Sequence, residues 1–276
     1  MTTRNGIPLG PIDKTWTALQ VKRPLDRLEK GRTDWFRVEN NAGAAPEIFI
    51  YDEIGYWGTA ANEFVRQLAL IQDEPELVVN LNSPGGDVFD GIAIYQALLD
   101  YPGRVTMKIS GLAASIASVI AMAGDRVVMG ARSQIMIHEG FTFASGDAAT
   151  MRKTADMLDR ISDSIANVYA DRASGDPSMW RDRMREETWF SAEEAVEAGL
   201  ADEIEGRKKA VVQDAFDMSV YKYPGRQEAP APVQDKVADP APEEEPVAPA
   251  VESKVESPFN WDFAAFQRSL KEGIRG

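Results

Sequence analysis

From Glu47 onward, short β-branched and apolar runs alternate with stretches of helical periodicity, the pattern of strand–helix units that build a mostly parallel sheet. The strands it predicts are EIFIY at 47–51, ELVVNL at 76–81, RVTMKI at 104–109, DRVVM at 125–129 and QIMIH at 134–138, with a closing strand around 200–204. Between them, residues 59–72 space Phe64, Leu68 and Ile71 helically, and residues 88–100 do the same for Ile92, Tyr95 and Leu98. Each segment therefore lays an apolar stripe on the sheet. Met151, Ala155, Leu158, Ile161, Ile165 and Val168 predict a helix over 147–173, too long for a compact sheet layer and so expected to project. Ser191-Ala-Glu-Glu194 has the form of a capping box, and Gly199 follows one short helix later.

The pattern weakens at both ends. Residues 1–44 are polar, with only Trp16, Leu19, Val21, Trp35, Phe36 and Val38 to bury, and read as an N-terminal arm. Residues 45–208 form the folded domain and 209–223 a connector. After Tyr223 the chain turns rich in Pro, Ala, Val and Glu, including the acidic run Glu243-Glu244-Glu245, so 224–258 is expected to be a disordered linker. Residues 259–276 regain Phe259, Trp261, Phe263 and Phe266, which suits an amphipathic docking segment and equally a tail with chance aromatics.

The length, 276 residues, suits one large α/β domain with appendages or two small ones. A net charge of −14 argues against nucleic acid as a partner, since the phosphate backbone repels an acidic surface. With no cysteine, thiolate nucleophiles, disulfides and thiolate metal sites are excluded. No apolar run reaches the length of a signal peptide or a membrane span, which leads to the expectation of a cytoplasmic protein with no membrane partner. No cofactor is called for.

The candidate chemistry sits in three places. GLAASIASVIAMAGD (111–125) puts Ser115 at the first turn of an apolar helix, beside free amides at the positive end of its dipole. That suits a nucleophile whose oxyanion needs preorganised donors, and it also suits a plain helix N-cap. His138, the single histidine, stands where a strand runs out into a loop, as a general base or as a structural residue. The loop Asn82-Ser83-Pro84-Gly85-Gly86-Asp87 lacks the Lys of a phosphate loop and the spacing of a dinucleotide fingerprint. It reads as an oxyanion-hole or peptide-binding loop, or simply as a strand-to-helix turn.

In their order along the chain, NSPGGDVFDG (82–91), GLAASIASVIAMAGD (111–125), MIHEG (136–140) and ETWFSAEEAVEAGLAD (187–202) resemble the Clp protease proteolytic subunit, and more closely the related phage head-maturation (prohead) proteases. The resemblance implies Ser115 as nucleophile, His138 as base, and the amides of Gly85, Gly86 and Ile116 as oxyanion-hole donors. The family's third member is an aspartate at the position of Glu187; this longer carboxylate, or its neighbour Glu186, is the expected orienting group. Also implied are a crotonase-like spiral of repeated ββα units, a homo-oligomeric ring in which residues 147–173 form the handle between rings, and extended peptide substrates paired beside a strand. As a maturation protease the chain would process capsid and scaffold proteins. In the alternative role it would serve an AAA+ ATPase ring in general degradation, since it carries no Walker A sequence of its own. Two further readings are an acyl-CoA hydratase or isomerase of the same fold, and an inactive capsid-assembly protein.

Overall fold

The computed structural model of the protein describes residues 35–40, 43–55, 61–206 and 216–233. Most of the expected arm, the linker beyond residue 233 and the segment 259–276 lie outside the described residues.

The described chain forms β1 (Phe36–Glu39), β2 (Glu47–Ile50), α1 (Ala61–Ala69), β3 (Glu76–Ser83), α2 (Val88–Leu99), β4 (Arg104–Ala114), α3 (Ile116–Ala121), β5 (Arg126–Gly130), β6 (Gln134–Ile137), α4 (Ala148–Ala173), α5 (Pro177–Arg185), β7 (Thr188–Ser191), α6 (Ala192–Glu197) and β8 (Glu203–Glu205). The strands share one mixed sheet in the order β1-β2-β3-β4-β5-β8, with β6 branching from β4 and carrying β7. The β1–β2 and β6–β7 pairs are antiparallel and the others parallel. Eleven-residue β4 makes the branch possible: Arg104–Ile109 lie along β3, Thr106–Ile109 also along β5, and Leu112–Ala114 along β6. The last residues of β4 thus stand beside the strand that leads into His138.

Helices follow the strands because each apolar stripe needs a sheet face to cover. Phe64 and Leu68 of α1, and Ile94 and Leu98 of α2, are buried among Ile48, Ile50, Leu77, Val79 and Leu81 of the strands. Each such side chain contributes about 1.5–3 kcal/mol when fully buried. α2 starts where Asp87 accepts from the amides of Phe89 and Asp90, and α6 where Ser191 and Glu194 form the reciprocal capping box read from the sequence. All six residues of α3 are buried, so it runs through the core.

α4 is buried only at Ser162, Ile165, Ala166 and Tyr169, and its first half carries no buried residue. Arg181 of α5 ties the middle of that helix down: it is 7% exposed and bonds Asp159 at 2.8 Å, Asp163, and Glu139 at 2.6 Å.

Besides α5 and β7, which the hydrophobic pattern did not foretell, two segments outside the expected domain core depart from it. Phe36–Glu39 was expected within the arm but is an edge strand, since Trp35 and Phe36 pack on Phe64 with ring centroids 6.1 and 5.3 Å away. One buried position in a four-residue strand is too little alternation to read. Residues 216–233, which straddle the connector and the start of the Pro-rich segment, pack on the domain; Ala229 is buried and Arg226 forks onto Glu194.

Candidate active site

Ser115 links β4 directly to α3, at φ 55° and ψ −131°. An L-residue with positive φ is strained by about 1–3 kcal/mol and persists only where the surroundings enforce it. Here they do: the Ser115 amide donates to the Met136 carbonyl at 2.9 Å, and its own carbonyl accepts from the Ser118 amide at 2.9 Å and the Ser118 hydroxyl at 2.5 Å. The side chain makes no helix cap. A sharp strand-to-helix turn of this kind lifts a serine hydroxyl off the sheet.

His138 follows β6, the strand beside the end of β4, and its Nε2 lies 2.7 Å from Ser115 Oγ. For the ring to accept the hydroxyl proton, Nδ1 must hold the imidazole's own proton. Burial pulls the imidazole down from its ordinary 6.5 to about 4, while the charges of Glu187 and Glu139 act in the opposite direction. The ring is flanked by Phe141, tilted at 5.7 Å, and by Tyr221, edge to face at 5.3 Å.

The Asn82–Asp87 loop lies against Ser115. A Cβ on Gly85 would come within 2.7 Å of the Ser115 Cβ, and one on Gly86 within 2.1 Å of the Ile54 carbonyl oxygen, so both positions require glycine. Backbone bonds clamp the loop to the chain after β2: Ile54 N–H to the Gly85 carbonyl at 2.8 Å and Asp87 N–H to the Ile54 carbonyl at 2.9 Å. The Gly85 amide donates to Ser83 Oγ at 3.1 Å, so it is already engaged within the loop. Ile116, first residue of α3, carries an amide that a helix leaves without an internal acceptor. Of the three expected donors, the Gly85 amide is thus the one with a hydrogen-bond partner inside the loop.

Glu187 is buried, at 6% exposure, and like Ser115 has φ 55°. Its Oε2 accepts from Lys222 N–H at 2.7 Å, and its Oε1 from Tyr223 N–H at 3.0 Å and Trp189 Nε1–H at 3.2 Å. None of these bonds goes to His138, which Glu187 reaches through its charge. Glu186 is the exposed C-cap of α5.

Sequence reading missed the 216–233 segment. Met218, Tyr221 and Tyr223 pack with Leu112 on Ala114, Met136 and Trp189, a cluster separate from the main core, and the Tyr221 hydroxyl donates to the Pro84 carbonyl at 2.6 Å. The available signal was the pair of tyrosines just before the composition break. A depression of about 580 Å³ lined by Asn40, Ala44, Glu74, Pro75 and Arg104 lies at the opposite, N-terminal ends of β3 and β4. Among the described residues no cluster suits a metal ion, and no helix is long and apolar enough to cross a membrane.

Residues 30–208 match the family model described as Clp protease. The chain is 31% identical to an ATP-dependent Clp protease proteolytic subunit of Bacteroides fragilis, over 55% of this chain and 79% of that protein. A subunit of the same name from Chlorella vulgaris is 30% identical over 62% of this chain and 86% of its own length. One from Bacteroides thetaiotaomicron is 29% identical over 55% of this chain and 74% of its own.

Proposed function

The chain belongs to the Clp protease family and is a serine-type peptidase; from that premise we propose that it is an endopeptidase in which Ser115 is the nucleophile, His138 its general base and Glu187 the carboxylate that biases the imidazole. The 2.7 Å contact between Nε2 and Oγ, on a serine held at positive φ, carries this reading. Ser115 Oγ attacks the scissile carbonyl carbon while Nε2 takes its proton, and the oxyanion is met by the amides of Gly86 and Ile116. Collapse breaks the C–N bond, and His138 returns the proton to the leaving amine. Water, deprotonated by the same imidazole, then releases the acyl group and restores the hydroxyl.

Within this reading the fold is the crotonase-like ββα spiral. It is supported by β4, whose first half pairs with β3 and β5 and whose end, after a register shift, pairs with β6 while keeping one contact to β3 at Ser83–Ala113. Substrate is an extended peptide, and assembly is a homo-oligomeric ring met through α4, whose first half is free of the core.

The biological role we infer is head maturation of a phage, with capsid or scaffold proteins as substrates in the host cytoplasm or procapsid interior. Its support is the chain beyond the family match, residues 209–276, together with the motif likeness to prohead proteases. The relatives' shared name favours a second role, proteolysis coupled to an ATPase ring.

Fluorophosphonate labelling tests the chemistry. The wild type is expected to label at Ser115, and Ser115→Ala to lose both the label and about 10⁶ in kcat; a labelled or fully active Ser115→Ala would overturn the assignment. Intact-mass spectrometry of the wild type co-expressed with a capsid protein, against Ser115→Ala, separates the roles. Cleavage that needs no ATPase partner supports maturation, and cleavage only with one supports the second role.

A further inference from the structure

The peptide unit joining Pro84 to Gly85 leads into the Gly86 amide, and its two polar ends are pinned by different parts of the molecule. Its N–H is held locally by Ser83 Oγ, whereas its carbonyl is held by the Tyr221 hydroxyl from a segment 137 residues away in sequence. Gly85 and Gly86 stand at φ +100° and +150°, a region that only glycine enters freely; the peptide carrying the Gly86 amide is held by Ile54 N–H on the Gly85 carbonyl, and the Pro84–Gly85 peptide before it would rotate readily if unpinned. The same Tyr221 presents its ring to the His138 imidazole.

Tyr221 is itself anchored. The next two amides bond Glu187, the Lys222 Nζ donates to the Arg185 carbonyl, Arg226 forks onto Glu194 at the start of α6, and Arg226 N–H donates to Gln134 of β6. These attachments lie on the elements that carry His138 and Glu187, and all come from chain outside the 30–208 family match.

We propose that Tyr221 is a positioning residue of the peptidase site, its hydroxyl fixing the Pro84–Gly85 peptide so that the Gly86 amide faces the oxyanion and its ring walling the His138 imidazole from water. This rests on the Ser115–His138 reading above. Charged and titratable groups acting on the imidazole include Glu187 before β7, Glu139 next to it in the chain and itself paired with Arg181 and Arg185 of α5, and Tyr221 on the segment packed over it.

Peptide hydrolysis and fluorophosphonate labelling of the full chain, each followed against pH, test the proposal with Tyr221→Phe and Tyr221→Ala. Tyr221→Phe keeps the ring and is expected to lower kcat roughly five- to tenfold through one lost hydrogen bond, with KM within about twofold and the acid limb unmoved. Tyr221→Ala is expected to move that limb upward toward the ordinary imidazole range as water reaches the ring. Wild-type kcat in Tyr221→Phe overturns the proposal. So does faster turnover in either variant, which would make the segment an obstruction rather than a support. Should Tyr221→Ala fail to fold, Tyr221→Phe alone decides. A wild type that does not label at Ser115 refutes the site reading itself, a result distinct from normal labelling with an indifferent Tyr221→Phe.

Discussion

Glu187 is buried near His138 with no hydrogen bond between the two, and its charge raises the imidazole's proton affinity against the larger opposing effect of burial. Three donors compete for the Glu187 oxygens, and glutamine would offer one acceptor oxygen where the carboxylate offers two. Glu187→Gln should therefore lower kcat by about 10²- to 10⁴-fold and also release the 216–233 segment to limited proteolysis, while Glu186→Gln on the exposed cap leaves both unchanged. Loss of activity in Glu186→Gln alone would reverse the assignment. The imidazole predicts its own pH profile. A base held near 4 is neutral at all higher pH, so the acid limb of kcat/KM should have its midpoint near pH 4 rather than 6.5. The stability consequence has the same sign: the unfolded chain binds the proton first, so the native state loses stability as pH falls from 6.5 to about 4. A limb centred at 6.5 would contradict the burial of the ring. The sequence named Ser115, His138 and Glu187 as candidates, and the Ser115–His138 contact is present; the donors around Glu187 were not legible, since none is near it in sequence except Trp189.

At the scale of elements, the approach of α2 to α3 sets where Ile116 and Ser115 sit. Gly91 is the point of contact, because a Cβ there would lie 2.1 Å from Ile116 Cγ1. Gly91→Ala would gain about 1 kcal/mol of helix propensity on an open surface. Here the branched, buried Ile116 cannot swing aside, so overpacking of about 1–3 kcal/mol is expected to win and to lower Tm by roughly 2–10 °C on a thermal melt. An unchanged or raised Tm would mean that α3 can slide. The six strands and three long helices read from the hydrophobic pattern are present to within a few residues, with β4 running on to Ala114 past the expected end at 109, whereas β1 and β7 were not read. That extension was hidden because Gly111, Leu112, Ala113 and Ala114 read as the lead into a helix; only the pairing with β6 makes them strand.

For the whole molecule, the 216–233 segment covers Trp189, Met136 and Ala114 on a face the main core does not reach. A chain ending at residue 206 uncovers two large apolar side chains and should lose on the order of 3 kcal/mol and most of its activity relative to the full chain. Differential scanning fluorimetry and a peptide assay on the truncation and the full chain check this; equal Tm values would show the covering to be marginal. The amino-acid sequence by itself determined the alternation of strands and helices and singled out Ser115 and His138, which the fold brings to 2.7 Å. Period, propensity and residue chemistry are local properties, and the order of four motifs is written along the chain. Only the tertiary structure decided that the Gly85–Gly86 loop lies against Ser115, where the Glu187 carboxylate turns, and that a segment after residue 215 packs beside His138. Those outcomes depend on contacts between residues far apart in sequence, whose free energy exists only once the chain has packed.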